Sequence, residues 1–100
     1  MSSTSTTVNI KVLFFASARE AVGGIASTSI KLSEEEGDEA IANTTTLRSK
    51  LATLYPKLAS LVLDEENITL ALNEEYVPFG MVMTLKDGDI VALIPPISGG

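Results

Sequence analysis

The chain has no cysteine, no histidine and no tryptophan among its 100 residues. Without cysteine there is no disulfide, no thiolate nucleophile and no iron–sulfur or zinc-thiolate site, and the redox compartment is left unconstrained. Without histidine the commonest general base and metal ligand near neutral pH is also missing. Acid, base and nucleophile work is left to carboxylates, lysines, tyrosines and hydroxyls, so a self-sufficient hydrolase is not expected and catalysis is assigned to a partner. Basic residues are scarce: 7 Lys and Arg stand against 13 Asp and Glu, for a net charge of −6. Neutralising phosphates requires a clustered basic patch, and these side chains are scattered, so nucleic acid is not an expected partner. No apolar run approaches the roughly 20 residues of a membrane span. Residues 12–18 imitate a short secretion signal, but Lys11 interrupts the apolar stretch, no basic leader precedes it, and the run falls short of about 7–15 residues. A soluble, cytosolic chain is expected. Apolar residues make up 45% of it, enough for the core of a single small domain.

Residues 1–7 are rich in Ser and Thr and offer little to bury, which predicts a disordered leader, with one domain over 8–94. Val8, Ile10, Val12 and Phe14 alternate with period two, while Leu13 and Phe15 add apolar character to the other face; a strand covered on both sides toward its end is expected. Residues 16–22 suit one or two helical turns stopped at Gly23-Gly24. Thr28, Ile30 and Leu32 resume the alternation as a hairpin partner of the first strand. Glu34, Glu35, Glu36, Asp38 and Glu39 crowd around Gly37 without the alternation and terminal glutamate of a calcium loop, so residues 33–46 read as a solvated surface loop.

Leu47, Leu51, Leu54, Tyr55 and Leu58 then fall on one helical stripe, with Thr44, Thr45 or Thr46 as cap. Pro56 ends or kinks this helix near Leu54 and Tyr55, and Leu58, Leu61 and Leu63 continue the packing in a following turn. Residues 68–72 alternate as a strand, Asn73-Glu74-Glu75 forms a turn, and Tyr76-Val77 a short edge segment. Asp87-Gly88 tolerates positive φ and feeds a last strand over 90–94. This order predicts an α+β architecture, a mixed sheet packed on one main helix, with the first strand central. Parallel pairing of the first and last strands would put whatever follows residue 94 at the sheet's end; the pattern leaves that pairing open.

That last strand runs directly into Pro95-Pro96-Ile97-Ser98-Gly99-Gly100. Proline fixes φ and biases its neighbour toward extended backbone, so a tail over 95–100 is expected to project from the body. Gly99 and Gly100 would thread a channel too narrow for any Cβ. The alternative is a frayed terminus. Because no linker separates the strand from the tail, the reading preferred is a delivered group, the carboxylate of Gly100.

Taken in order, Lys11-Val12-Leu13-Phe14-Phe15-Ala16 with Arg19-Glu20, Ala71-Leu72-Asn73, Asp87-Gly88-Asp89-Ile90-Val91 and the Pro95-to-Gly100 ending resemble the small subunits of molybdopterin synthase, a family of ubiquitin-like β-grasp sulfur carriers. The likeness spans most of residues 10–100; the acidic stretch 33–44 and the leader are extra. It implies a sulfur relay. An adenylating enzyme of the ubiquitin-activating type uses ATP to convert the Gly100 carboxylate to an acyl-adenylate, and a sulfur donor displaces AMP to leave a thiocarboxylate. The charged carrier docks on a large catalytic subunit, in a complex of two small and two large chains. There its sulfur builds the molybdopterin dithiolene on cyclic pyranopterin monophosphate. No cofactor or metal is held permanently by the carrier. The resemblance further implies that Pro95, Pro96, Ile97, Ser98 and Gly99 thread a partner's active site, and that Phe15, Tyr76 and Ile94 form an apolar patch used by both partners. The alternative for those three is ordinary core. Two other function classes stay open, a carrier of the same fold serving thiazole or tRNA thiolation, and a ubiquitin-like protein modifier or interaction module.

Overall fold

Alternation decides the first element. The computed structural model describes residues 7–33, 35–36, 39–40, 42–64, 66–78 and 80–95. In it β1 (Thr7–Phe14) buries Val8, Ile10, Val12 and Phe14 and turns Thr7, Asn9 and Lys11 outward. Thr7, expected in the leader, is thus the first residue of a strand; the rest of the leader lies outside the described residues. α1 (Ala16–Ala21) follows and ends at Gly23-Gly24, whose amides donate to the carbonyls of Glu20 and Arg19. β2 (Ser27–Ser33) returns antiparallel to β1, with Ile30 opposite Ile10 and Leu32 opposite Val8, so both strands bury the same face.

Part of the stretch expected to be loop forms a separate two-stranded hairpin. β3 (Glu35–Glu36) pairs with β4 (Glu39–Ala40), which satisfies backbone groups that a loop would leave to water. α2 (Thr44–Leu54) then crosses one face of the main sheet. Its cap is Asn43 and none of the threonines: Asn43 Oδ1 accepts from the Thr46 amide at 2.8 Å, and Thr46 Oγ1 accepts from the Asn43 amide at 3.0 Å. Two orphan donors are satisfied reciprocally. Asn43→Ala is expected to cost about 1 kcal/mol, seen as a lower urea midpoint at unchanged slope. Thr44 is buried and its hydroxyl accepts from the Met83 amide at 3.1 Å, which ties the helix to the loop before β7.

Leu47, Leu51 and Leu58 are fully buried, and Tyr55 meets Phe14 edge-on with ring centroids 5.9 Å apart. Leu54 departs from the expected stripe and Leu63 from the packing expected of the following turn, at 48% and 57% exposed. The helix ends at Leu54, and Leu58, delivered by the 3₁₀ turn Pro56–Leu58, is buried in its place. α3 (Ala59–Val62) adds Val62 to the core.

β5 (Thr69–Leu72), β6 (Glu75–Tyr76) and β7 (Ile90–Ile94) complete a five-stranded mixed sheet in the order β2-β1-β7-β5-β6. β7 is parallel to β1, with Lys11 opposite Ile90 and Phe14 opposite Leu93, and antiparallel to β5. The architecture is the expected α+β, a mixed sheet on one main helix. The middle place belongs to β7, however, and not to β1. Val91 and Leu93 belong to the core and Ala92, on the opposite face, is small enough to be buried between its taller neighbours, whereas β1 keeps a polar face for most of its length. Among the described residues no helix is long and apolar enough to cross a membrane.

Candidate docking groove

Because the even residues of β1 fill the core, its odd residues face away from α2. Register carries that parity across the sheet: Leu13 stands opposite Ala92, Ala92 opposite Ala71, and Ala71 opposite Tyr76. One row therefore crosses four strands with two alanines in its middle. Taller side chains stand around them, Phe15 and Ile94 toward the end of β7 and Ile90 toward its start. The result is a groove of about 560 Å³ lined by Leu13, Phe15, Ala71, Asn73, Glu74, Tyr76, Ile90, Ala92 and Ile94. Ala71 and Ala92 are buried as its floor, while Phe15 is 46%, Tyr76 71% and Ile90 41% exposed. Large apolar groups left facing water together mark an interaction surface.

Phe15 owes its position to the end of β1. Its own backbone is extended (φ −126°), and Ala16 then takes φ 50°, a left-handed conformation costly to a residue with a Cβ. That reversal starts α1, whose first turn closes on the Phe15 carbonyl, so the ring stays on the outer face while Phe14 points inward.

The far rim is a tight hairpin turn. Asn73 and Glu74 both have positive φ, 51° and 77°, the pair of angles a two-residue turn between twisted strands demands. Asn73 is bonded to β7 on both sides: its amide donates to the Ile90 carbonyl at 2.8 Å, and its Oδ1 accepts from the Ile90 amide at 2.9 Å. Its Nδ2 donates to Asp89 Oδ1 at 3.0 Å, and Asp89 Oδ2 accepts from the Lys86 amide at 2.8 Å. The neighbouring turn at Gly88 (φ 92°) is anchored to β1, since Asp87 Oδ1 accepts from both the amide and the side chain of Asn9.

Of the residues singled out from sequence, Phe15, Tyr76 and Ile94 are brought together on this groove, and ordinary core is not their environment: Phe15 and Tyr76 are exposed and Ile94 is half-buried. Pro95 is buried against the body, so any departure of a tail lies beyond it. Pro96, Ile97, Ser98, Gly99 and Gly100 lie outside the described residues. Leu13, Ala71, Ala92, Ile90, Asn73 and Glu74 also line the groove without having been singled out. Strand register would have found the first four, which alternation along one strand does not, and Asn73 and Glu74 follow from the turn that joins β5 to β6. A smaller cavity of about 110 Å³ lies beside Arg48, whose guanidinium donates to the carbonyls of Val62 and Ile68 and so bonds α2 to the chain leading into β5. No group of three or more acidic, His or Cys side chains able to hold a metal occurs among the described residues.

The model of the ThiS family matches residues 12–100. A molybdopterin synthase sulfur carrier subunit from Chlamydomonas reinhardtii is 41% identical over 93 residues, covering 93% of this chain and 100% of that protein. A solved structure described as subunit 1 of molybdopterin converting factor from Pyrococcus furiosus is 30% identical with a TM-score of 0.67, over 90% of this chain and 99% of that one. The fold is also that of a chain in the complex of subunits 1 and 2 of the molybdopterin-converting factor from Helicobacter pylori, at 22% identity and a TM-score of 0.57, over 93% and 100% of the two chains.

Proposed function

This chain belongs to the ThiS family, among the molybdopterin synthase sulfur carrier subunits, and from that premise we propose that Gly100 is its reacting residue. A carboxylate is a poor electrophile until one oxygen becomes part of a good leaving group. An adenylating enzyme supplies that: a Gly100 oxygen attacks the α-phosphorus of ATP, pyrophosphate leaves, and an acyl-adenylate remains. Sulfide released by a sulfur donor then attacks the carbonyl carbon and AMP departs with the electrons of the C–O bond. The product is a thiocarboxylate, whose sulfur is a far stronger nucleophile than the oxygen it replaces. On a large catalytic subunit that sulfur attacks a side-chain carbon of the bound cyclic pyranopterin, a carbon–oxygen bond at that carbon breaks as the carbon–sulfur bond forms, and water cleaves the resulting thioester to return the carboxylate. This chain supplies no histidine or cysteine to that chemistry, so acid–base and phosphate-binding groups are the partners' contribution.

The observation that carries the reading is the path of β7. Three groove residues, Ile90, Ala92 and Ile94, lie on the strand that continues through Pro95 toward Gly100. A partner gripping the groove therefore holds the strand whose continuation bears the reacting carbonyl. Phe15, Tyr76 and Ile94 are the anchors of that grip, for the adenylating enzyme and the large subunit in turn, and Pro96, Ile97, Ser98 and Gly99 thread the active site. A shared groove makes the two partners mutually exclusive, which suits a carrier that must leave one to reach the other. Two carriers with two large subunits deliver the two sulfurs of one dithiolene.

Intact mass spectrometry tests the proposal. Incubation with the cognate adenylating enzyme, ATP and a sulfide donor is expected to exchange one oxygen for sulfur on the C-terminal peptide. An unchanged mass with no pyrophosphate released overturns it. Lysine-linked conjugates in place of the thiocarboxylate would assign the chain to protein modification.

A further inference from the structure

β6 is two residues long, pairs with β5 at only two positions, and lies at the sheet edge, yet it carries Tyr76, the most exposed wall of the groove. So short a ladder does not hold a strand in place by itself. A bond from the Val77 amide to the Leu70 carbonyl at 2.8 Å holds its far end, and the turn before it fixes its near end. Asn73 contributes three hydrogen bonds toward β7, one from its backbone and two from its side chain, and Asp89 divides its carboxylate between Asn73 and the Lys86 amide. The β5–β6 turn, the start of β7 and the 86–89 turn are thereby locked to one another at a single point. Both members of the lock are polar residues whose bonds face the strand start, and Glu74 in the turn and Tyr76 on β6 line the groove.

We infer that Asn73 and Asp89 are positioning residues for docking, setting the height and angle of the Tyr76 wall. The inference rests on the reading of the groove as the docking face. Its chemistry permits a specific test, because the lock can be rebuilt with its donor reversed. In the pair Asn73→Asp with Asp89→Asn, residue 73 accepts from both the Ile90 amide and the new amide side chain, and that amide's oxygen still accepts from Lys86 N–H. Asn73→Gly keeps a residue at ease with φ 51° and removes the side-chain tether together with that side chain's share of the groove lining, so rescue by the reversed pair is what identifies the tether.

The measurement is steady-state pyrophosphate release by the cognate adenylating enzyme with full-length carrier as substrate, alongside thermal melts. Asn73→Gly is expected to raise KM for the carrier roughly fivefold with kcat unchanged, the signature of lost binding common to ground and transition states. The reversed pair is expected to return KM to the wild-type value. An unchanged KM for Asn73→Gly, or a reversed pair that melts normally but is not rescued, overturns the inference. Phe15→Ala run in parallel separates the two layers. If it raises KM while Asn73→Gly does not, the positioning role alone fails; if it leaves KM unchanged, the groove is not the docking face and both fall.

Discussion

Deleting Gly100 is expected to abolish sulfur transfer while leaving the melting curve unmoved. The shortened chain still ends in a glycine carboxylate, so the expectation concerns reach and not functional-group chemistry. One extended residue spans about 3.5 Å, whereas a misplacement of about 1 Å in a reacting geometry already lowers rates on the order of 100-fold. A partner that grips the groove and threads a tail of fixed length therefore meets no carbonyl where the α-phosphorus waits. Among the described residues the buried core runs from Val8 to Leu93, ahead of the segment proposed to thread a partner, so circular dichroism and thermal midpoint are expected to match the intact chain. Molybdopterin formation supported by the truncated chain would show that the terminal carboxylate is not the carrier group.

Phe14 and Phe15 are expected to divide stability from binding, although they are neighbours of identical composition. Phe14 is 2% exposed and packs its edge against Tyr55, so Phe14→Ala leaves a cavity between β1 and the end of α2. Such truncations cost about 3–5 kcal/mol, a large share of the roughly 5–15 kcal/mol that holds a domain folded. Phe15→Ala removes a half-exposed ring from the groove and is expected to leave the melt close to wild type while weakening binding of the large subunit by about 1–4 kcal/mol, as a central anchor does. Thermal melts and calorimetric titration of the two variants decide it. Equal destabilisation by both, or full binding by folded Phe15→Ala, would remove Phe15 from the docking face.

That division was legible in the sequence because parity along a half-buried strand is strict: once Val8, Ile10 and Val12 face the core, so does Phe14, and Phe15 does not. Leucine spacing located α2 and Pro56 its end for similarly local reasons. The cap was not legible, since three consecutive threonines can each accept from a helix amide and only the backbone entry angle selects Asn43. Leu54 misled because periodicity states which side a residue faces and not whether anything lies opposite. Strand order was beyond reach for a different reason. Contacts between β1 and β7 join opposite ends of the chain, and no local propensity reports them. The floor of the groove was lost for the same cause: Ala71 and Ala92 read as neither core nor site until β5 and β7 are laid in register.

The placement of β7 also bears on the order in which the molecule assembles. The last strand in chain order is the middle strand in space, so until it inserts, the β1–β2 hairpin and the β5–β6 hairpin are separate fragments with no shared edge. Closing them requires a loop spanning nearly the whole chain, a slow step compared with forming helix α2 or either hairpin. Until that step is complete the four-stranded row from Leu13 to Tyr76 does not exist, even though every residue from Pro95 to Gly100 is already present. On the proposed reading, an adenylating enzyme that holds its substrate by the groove would discriminate by conformation before it consumed ATP, and sulfur would be loaded only onto copies that have finished folding.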